Sequence, residues 1–594
     1  MEFTVKLTGG QIVAKALKAH GVHYVAGIPG YGSWAMVDAL LAPGTEIPFI
    51  QVMQEQSAVH MADGYFRACG RPMAALLPTA IGVSKALGSI ATAFADSTAV
   101  LVISGGQLSH LPQSLSADTS VRSPHSGHSL GVIKAQLQAS TIGNLPALMY
   151  QAFNTMLSGR PGPVSVEVPI AIQVASAQVC FDPPNTRMPT GRIAAQKGQI
   201  KRALQLLVKA RRPVILAGGG VIAAEASQEL TALAERLFAP VVTTTNGKGA
   251  IAEDHQLSAG PIGQSGSPCA NQLLATADVV LAVGSRLANT LQEGWEGGVV
   301  SALAHVQLIQ VDVDAHEIGR NHRVEVGITA DACNVLADLL AELSPQQCQG
   351  FSQARTTYLE ELGALREVWE ARLGLDRNND ASPFIVQRPL AELRRVLERD
   401  AIVVVGAGSV QIAVRQMFAV YMPRSHLCSG SFGSLGWAVP AAIGAKLAMP
   451  ARQVVCVVGD GDFLQSMQEM AVCVMHTIPV VFVVFNNSGY VSLRDGQAEV
   501  FGRHLGSEFN LPDGKPYSPD FAEVAKHFGL EAWRVEHASQ LQPALQKAVN
   551  SKGPALVEIM TTRGSAGAVH QGGLHFPAPV YDGESAGAGS TASR

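Results

Sequence analysis

Short apolar runs alternate with amphipathic stretches of helical length along most of this chain. In the last third, the run Val454–Val458 is followed by the turn Gly459-Asp460-Gly461, a predicted helix over 463–476, and a second run, Val480–Phe485. A short run without polar residues is typical of a strand buried on both faces of a parallel sheet. The pattern therefore predicts a βαβ unit, and its second strand ends at Asn486-Asn487.

The same alternation fills the first and middle thirds of the chain. It predicts an α/β fold in which parallel sheets are flanked by helices on both faces. At ~150 residues per domain, a chain of 594 residues holds three or four domains. We expect three domains and a tail of small polar residues that is disordered. Their predicted bounds are 1–180, 190–345, 375–565 and, for the tail, 566–594.

Composition excludes several classes of protein. Apolar residues make up 47% of the chain, the net charge is −4, and no basic patch stands out, so we expect no nucleic-acid partner. No apolar stretch reaches the ~20 residues that a membrane-spanning helix needs, and the start lacks a signal-peptide core. The eight scattered cysteines form no CxxC pair. They indicate reduced thiols and a cytoplasmic protein.

Polar groups follow both strands of the βαβ unit in the last third. Gly459 and Gly461 permit close approach of a ligand to the backbone, and the helix that follows offers free N–H groups to a phosphate. Asp460 supplies a carboxylate oxygen and Asn487 an amide oxygen, and both are ligand types that suit Mg²⁺. Since the carboxyl ends of parallel strands share one sheet edge, these residues predict a magnesium–diphosphate site. The alternative is an ordinary βαβ turn that contains an acid.

The sequence GDG, followed by a helix, a strand and NN, resembles the signature of thiamine-diphosphate (ThDP) enzymes. This resemblance implies that Asp460, Asn487 and the backbone carbonyl of Gly489 hold Mg²⁺. It also implies three domains, which bind the pyrimidine, an optional middle-domain ligand and the pyrophosphate. In this family the active site lies between two chains, so we expect a homodimer at least and a homotetramer as the full assembly.

The segment EQSAVHMADGY begins at Glu55, directly after a predicted strand. It resembles the segment of acetolactate synthases that carries the catalytic glutamate. The resemblance implies that Glu55 forms a hydrogen bond with the N1′ nitrogen of the coenzyme's aminopyrimidine. This hydrogen bond favours the imino tautomer, whose 4′ nitrogen takes the proton from C2 of the thiazolium. A carboxyl in a dry pocket has a raised pKa and can hold the shared proton at neutral pH. The alternative is a first-turn acid that complements the helix dipole.

Two further loops resemble cofactor-binding parts of the family. The turn GAGSVQ after a strand at 401–405 resembles the one placed against the diphosphate, and GSFGSLG resembles the loop between the pyrimidine and the thiazolium. Leu435 takes the position of the bulky residue that bends the coenzyme and brings its two reacting atoms together; the alternative is a core leucine. The expected cofactor-binding residues are Glu55, Gly408, Ser409, Ser434, Leu435, Gly459, Asp460, Gly461, Asp462, Asn487, Gly489 and Tyr490.

Candidate substrate residues are His128, Lys134 and Arg494. His128 lies in a polar loop that resembles the histidine loop of pyruvate decarboxylases, and Lys134 falls near a lysine of acetolactate synthases. Arg494 has the chemistry to bind a carboxylate through two hydrogen bonds. The alternative for the histidine and the arginine is a surface position. The tryptophan that favours 2-oxobutyrate in acetolactate synthases is missing after the Asn pair, which leaves the acceptor open.

The middle domain contains Gly218-Gly219-Gly220 after an apolar run but lacks a full GxGxxG. In acetolactate synthases the equivalent domain binds FAD; in other relatives it binds another nucleotide-bearing ligand or none. FAD therefore remains one of three alternatives for this chain.

The resemblance as a whole implies a carboligase of the acetolactate-synthase type. Such an enzyme decarboxylates a 2-oxo acid such as pyruvate and adds the resulting enamine to a second carbonyl. The alternatives are a 2-oxo acid decarboxylase without carboligation, and a lyase or hydrolase of a diketone or 2-hydroxyacyl-CoA. A non-enzymatic binding protein of this fold is disfavoured, because Glu55, Leu435, Asp460 and Asn487 are all present.

Overall fold

The computed structural model of this chain describes residues 5–106, 131–187, 191–263, 266–288, 303, 305–430 and 432–564. Three six-stranded sheets follow one another along these residues, and every strand pair within them is parallel. Helices connect the strands and cover the sheets. The predicted α/β fold with parallel sheets flanked by helices is confirmed.

The first sheet has the strand order β3-β2-β4-β5-β7-β6. A two-stranded antiparallel pair, β1 with β8, ties the start of the chain to the end of this region. Thr8 caps the first helix, because its hydroxyl accepts the N–H of Gln11 at 3.2 Å. The elements are β1 (Val5–Thr8), α1 (Gly9–Ala19), β2 (Val25–Gly27), α2 (Trp34–Ala39), β3 (Phe49–Gln51), α3 (Glu55–Cys69), β4 (Ala74–Leu77), α4 (Ala80–Lys85), α5 (Leu87–Ala95), β5 (Leu101–Gly106), β6 (Ala135–Gln138), α6 (Leu145–Leu157), β7 (Val164–Pro169), α7 (Ile170–Val174) and β8 (Ser176–Val179).

The middle sheet has the order β11-β10-β9-β12-β13-β14. Counted along the chain this is 3-2-1-4-5-6, the Rossmann order, whose switch point lies between β9 and β12. The elements are α8 (Lys197–Lys209), β9 (Pro213–Ala217), α9 (Gly219–Ala223), α10 (Ser227–Leu237), β10 (Val241–Thr243), β11 (Ser258–Pro261), α11 (Pro268–Ala275), β12 (Val279–Val283), β13 (Gln307–Asp312), β14 (Val326–Thr329), α12 (Ala332–Glu342), α13 (Pro345–Ala354) and α14 (Thr356–Arg377).

The third sheet has the order β16-β15-β17-β18-β20-β19. Its central strands carry only buried apolar side chains over Val454–Val458 and Val481–Phe485, as expected for strands covered on both faces. The elements are α15 (Gln387–Val396), β15 (Ile402–Val405), α16 (Ser409–Met417), β16 (His426–Cys428), α17 (Ala438–Ala448), β17 (Val454–Gly459), α18 (Asp460–Phe463), α19 (Met470–Met475), β18 (Val481–Asn486), α20 (Val491–Phe501), α21 (Phe521–Phe528), β19 (Glu531–Val535), α22 (Ala538–Val549) and β20 (Ala555–Met560).

The first and third sheets repeat one topology. Numbered within its own region, each has the strand order 2-1-3-4-6-5. The helices α3 and α17 both follow the second strand of their sheets, and the two pack against each other. A Cβ on Gly64 of α3 would lie 2.2 Å from the Ala441 oxygen, and one on Gly444 of α17 would lie 1.9 Å from the Met61 oxygen. Glycine at both positions therefore lets the two helix backbones touch.

Polar side chains also join α3 to the third region. The indole N–H of Trp437 donates to the Asp63 carboxylate at 2.8 Å, and Arg67 pairs with both Asp63 and Asp96. All four side chains are buried or nearly so. One buried apolar cluster likewise runs from the first sheet through α3 and α17 to the third sheet. The two regions thus form one packed unit.

The predicted single helix over 463–476 is wrong. The chain forms α18, then a 3₁₀ turn over Met467–Glu469, and then α19. Ser466 leaves the helical conformation with φ −146°. This break turns the Glu469 side chain towards the start of α3, where it is fully buried.

All eight cysteines are free. Among the residues that the model describes, no helix combines the length and the apolar character that crossing a membrane requires. The predicted disordered tail, from residue 566, lies outside the described residues.

Candidate functional site

The polar residues predicted at the edge of the third sheet come together in the structure. Asp460 begins α18, directly after β17, and is 1% exposed. Its carboxylate accepts the N–H of Gly461 at 2.9 Å and the N–H of Gly489 at 3.2 Å. The second contact joins Asp460 to the loop after β18, which carries Asn487. Burial raises the pKa of Asp460 to about 6, although these N–H groups act in the opposite direction.

The side chain of Asn487 fits a metal ion. Its Oδ1 atom is buried and has no hydrogen-bond partner among the described residues. A buried amide oxygen without a partner costs free energy unless a ligand satisfies it. A hard cation beside Asp460 would provide that contact. A Cβ built on Gly459 meets nothing within 4 Å, so open space adjoins this strand end.

The loop that carries Asn487 is held by a residue that the sequence did not indicate. Arg563 donates to the backbone oxygens of Asn487, Ser488 and Phe509 at 3.0, 2.8 and 2.6 Å. Ser488 has a positive φ of 56°, a left-handed conformation that is rare for a residue with a side chain. The three charge-assisted hydrogen bonds from Arg563 stabilise that turn. No local pattern marks Arg563, because its partners lie more than fifty residues away.

Asp462 links three loops at the same edge. It is 3% exposed, and its carboxylate accepts the N–H of Ala407 at 2.9 Å and the N–H of Gly436. Burial raises the pKa of Asp462 to about 7. The turn before α16 and the loop before α17 are thereby fixed against the Gly459-Asp460-Gly461 turn. This arrangement is compatible with the predicted place of Asp462 in the cofactor site, where its carboxylate holds the backbone of two neighbouring loops.

The remaining predicted cofactor residues lie on these loops. Gly408 precedes α16 with φ +100°, and Ser409 is its first residue. Ser434 and Leu435 are partly buried. Tyr490 packs edge-on against Phe509 with ring centroids 5.1 Å apart. Gly461 allows this packing, because a Cβ there would lie 2.5 Å from the Tyr490 ring.

Glu55 lies in a second group of residues, at the edge of the first sheet. It is the first residue of α3 and is 7% exposed. The ammonium of Lys85, at the end of α4, lies 3.3 and 3.2 Å from its two carboxylate oxygens. Within the described parts of the chain, no hydrogen bond or ion pair joins Glu55 to the group around Asp460.

The sequence did not indicate a role for two residues near Glu55. Lys85 ends α4, the helix after β4, and Glu55 begins α3, the helix after β3. The two helices start from the same edge of the sheet, and nothing else in the sequence connects the two residues. Glu469 accepts the Met53 N–H at 3.2 Å, and burial raises the pKa of its carboxyl to about 7. A glutamate within an apolar stretch signals a buried acid, but the sequence does not identify its partner.

The two predicted substrate residues that the structure describes, Lys134 and Arg494, lie in different regions of the chain and have separate partners. The Arg494 guanidinium binds Asp495 at 2.5 Å and Glu508 at 3.5 Å. The Lys134 ammonium donates to the backbone oxygens of Ser158 and Arg160 at 2.5 and 2.7 Å, and burial lowers its pKa. These contacts support structural roles, and the substrate roles of both residues stay predictions. His128 lies outside the described residues.

A cavity of about 350 Å³ lies where the three regions meet. It opens at the switch point of the middle sheet, where ligands bind in folds of this order. Burial raises the pKa of Asp312 there to about 6. Residues that line it include Arg160, Gly219, Gly220, Arg286, Asp312 and His426.

Comparison with known families identifies the class. Three models of thiamine pyrophosphate enzymes match in order: the N-terminal TPP binding domain at residues 7–118, the central domain at 200–339 and the C-terminal TPP binding domain at 406–559. The chain therefore belongs to the thiamine pyrophosphate enzymes. The resemblance found at GDG and NN is confirmed.

Within that family the chain is similar to acetolactate synthase large subunits. It is 32% identical to a probable acetolactate synthase large subunit of Methanocaldococcus jannaschii, over 93% of this chain and 92% of the relative. It is 31% identical to the acetolactate synthase isozyme 3 large subunit of Escherichia coli, over 91% of this chain and 92% of the relative. The Haemophilus influenzae large subunit is 30% identical over 92% of this chain and 93% of that subunit.

Proposed function

We propose that this protein is a ThDP- and Mg²⁺-dependent carboligase of the acetolactate-synthase type. It decarboxylates a 2-oxo acid such as pyruvate and joins the remaining two-carbon unit to a second carbonyl. The observation that carries this proposal is the Asn487 Oδ1 atom, which has no partner among the described residues, beside the buried Asp460 at the sheet edge where the family binds its coenzyme. The similarity to acetolactate synthases over most of the chain supports the reaction type.

The residues at the edge of the third sheet would hold the metal and the diphosphate. Asp460, Asn487 and the Gly489 carbonyl are the proposed Mg²⁺ ligands, and the N-terminus of α16 would offer backbone N–H groups to the phosphates. Asp462 keeps the loops that carry Gly408 and Leu435 in place. ThDP, when bound, supplies a nucleophilic carbon that attacks the 2-oxo acid and accepts the electrons released with carbon dioxide.

Glu55 is the proposed catalytic residue. Its buried carboxyl would share a proton with the N1′ nitrogen of the coenzyme, and that hydrogen bond strengthens where water is excluded. The first turn of α3 fixes the carboxyl at the sheet edge.

We propose that the site is completed by a second copy of the chain. Glu55 and Asp460 lie in separate groups, and large apolar side chains are exposed beside each. Tyr31 and Ile81, near the edge that carries Glu55, are 65% and 58% exposed. Phe432 and Leu493, near the other edge, are 48% and 59% exposed. Apolar surface of this kind marks an interface, and supports a homodimer or a dimer of dimers.

The cavity at the switch point of the middle sheet supports a nucleotide-bearing ligand such as FAD. The backbone N–H of Gly219, at the start of α9, suits a phosphate, and the Asp312 carboxylate suits a hydroxyl donor such as a ribose. Flavin absorbance of the purified protein, or its absence, decides this point. The cytoplasmic location stays a prediction.

One experiment tests the reaction. Purified protein is incubated with ThDP, Mg²⁺ and pyruvate, and carbon dioxide, acetolactate, acetoin and acetaldehyde are measured. We expect acetolactate, and its loss by about 100-fold or more in Glu55→Gln, because proton transfer by a positioned group contributes factors of this size. The exposed first-turn acid Glu523 offers a control, Glu523→Gln, that keeps full activity.

The other outcomes are equally informative. Acetaldehyde as the main product would indicate a decarboxylase without carboligation. No turnover of pyruvate, with ThDP bound, would point to the lyase or hydrolase alternative. Full activity in Glu55→Gln would contradict the proposed role of Glu55.

A further inference from the structure

His426 is a buried histidine at the wall of the cavity between the three regions. It begins β16 and is 7% exposed. Neither of its ring nitrogens has a hydrogen-bond partner among the residues that the structure describes. A buried polar atom without a partner costs free energy, so each such atom points to a ligand or an ordered water that satisfies it. The His426 ring therefore offers two unused hydrogen-bonding positions to whatever fills the cavity.

The surroundings of His426 keep its ring neutral. Burial is the larger cause, and the nearby positive charges of Lys248 and Arg415 add to it, so the pKa of His426 lies well below its usual value. A neutral imidazole has one N–H donor and one acceptor nitrogen. It is fully used by a polar ring system that carries both carbonyl oxygens and N–H groups. A phosphate only accepts hydrogen bonds and would use one of the two nitrogens.

Groups that suit the phosphates and the ribose of a ligand line the same cavity. Arg160, from the first region, and Arg286, from the middle region, present guanidinium groups, which bind phosphates well. Asp312, at the end of β13, presents a carboxylate that accepts hydrogen bonds from hydroxyl groups. The third region contributes His426 instead. The cavity thus joins a charged wall to a neutral polar wall on another sheet.

We propose that His426 hydrogen-bonds the ring system at the end of the cavity ligand that lies away from its phosphates, and that this contact makes the cavity favour FAD over a nucleotide without a second ring system. This inference rests on the proposed function, because it takes the ligand of the cavity to be nucleotide-bearing. The flavin ring carries carbonyl and N–H groups side by side, so it supplies both an acceptor and a donor. No covalent bond forms or breaks, and His426 is a specificity-determining residue.

The test is isothermal titration calorimetry of FAD and of ADP with protein freed of any bound nucleotide. In His426→Phe the planar ring stays and both nitrogens are lost. We expect the affinity for FAD to fall about tenfold, the factor that one hydrogen bond of ordinary strength contributes, and the affinity for ADP to stay unchanged. His426→Gln keeps a donor and an acceptor and should recover most of the affinity for FAD. The exposed His527 of α21 provides the control His527→Phe.

Melting of the same proteins separates this role from a purely structural one. Without a ligand, His426→Phe should melt at or above the wild-type temperature, because an unsatisfied polar ring is replaced by an apolar one. With saturating FAD, the melting temperature of the wild type should rise more than that of the variant. His426→Leu, which has a smaller side chain, repeats the comparison if phenylalanine disturbs the packing.

Equal affinities of the wild type and His426→Phe for FAD would overturn the proposal, as expected if an ordered water satisfies the ring. An equal loss of affinity for FAD and ADP would also overturn it, because His426 would then not distinguish the two ligands. Failure of the wild-type protein to bind either FAD or ADP would contradict the nucleotide-bearing ligand of the proposed function and, with it, this role of His426.

Discussion

The Glu469 carboxylate accepts a hydrogen bond from the Met53 backbone N–H at 3.2 Å, although 416 positions separate the two residues in sequence. Gln54, the residue before α3, makes no side-chain capping bond of its own. The segment that leads into α3 is therefore held by a side chain from the third region of the chain. Since Glu55 is the first residue of α3, its orientation depends on a contact between regions that the sequence does not reveal.

Replacing Glu469 by glutamine changes how stability depends on pH. Burial raises the pKa of Glu469 from 4.5 to about 7, so between these values the folded protein holds a proton that the unfolded chain has released. Stability therefore falls as pH rises through this window, by at most about 3 kcal/mol from this group. We expect Glu469→Gln to melt like the wild type near pH ~5 and at a higher temperature near pH ~8.

The exposed Glu523→Gln serves as the control for this comparison, and its melting temperature should follow that of the wild type at both pH values. A difference between Glu469→Gln and the wild type that stays constant with pH would show that the Glu469 carboxyl does not titrate in this range.

Binding of Mg²⁺ is expected to weaken in acid. Burial raises the pKa of Asp460 to about 6, and the metal needs its ionised form. Below about pH 6 protons compete with the metal, and apparent Mg²⁺ affinity falls about tenfold per pH unit. Titration of the ThDP-bound protein with Mg²⁺ between pH ~5 and ~8 measures this. Equal affinities at both ends of the range would exclude Asp460 as a ligand.

Arg563 is expected to support the metal site without touching the ion. Arg563→Ala removes three hydrogen bonds to the backbone around Asn487 and Phe509. Because residues that orient ligands matter nearly as much as the ligands, we expect Mg²⁺ affinity to fall about 10–100-fold. Arg503, an exposed arginine of the third region, provides the control variant Arg503→Ala. An unchanged affinity in Arg563→Ala would show that the loop keeps its shape unaided.

The contact between α3 and α17 tolerates no added side chain. A Cβ at residue 444 would lie 1.9 Å from the Met61 oxygen, which is backbone and cannot move alone. We expect Gly444→Ala to destabilise the protein by about 3 kcal/mol or to prevent folding, as overpacking does. Gly363 lies in α14 with nothing near its Cβ position, so Gly363→Ala should stabilise by up to ~1 kcal/mol. Thermal melting of both variants checks the contrast.

The sequence was sufficient to predict the features of the fold that depend on a local pattern of apolar and polar residues. The apolar runs Val454–Val458 and Val480–Phe485 predicted two strands, and the structure has β17 at Val454–Gly459 and β18 at Val481–Asn486. The meeting of Asp460 with the Asn487 loop followed from a rule of parallel sheets, since both residues end neighbouring strands.

Long-range contacts could not be predicted in the same way. The helix break before Glu469 places the Glu469 carboxylate where it accepts the Met53 N–H. No repeat or spacing in the sequence connects these two residues. Lys85 lies thirty positions from Glu55 and resembles any lysine at a helix end. Arg563 follows the last strand and donates hydrogen bonds to backbone oxygens. Every residue has a backbone oxygen, so these partners cannot be recognised from the pattern of side chains.

The most direct test of the central claim uses hybrid dimers. Glu55→Gln in one differently tagged chain and Asp460→Ala in the other each disable one half of the site. If one chain supplies Glu55 and its partner the metal ligands, each hybrid dimer contains one intact site and regains about half of the wild-type rate of acetolactate formation. Hybrids as inactive as the two parent variants, beside an active wild-type dimer purified through the same tags, would contradict the account.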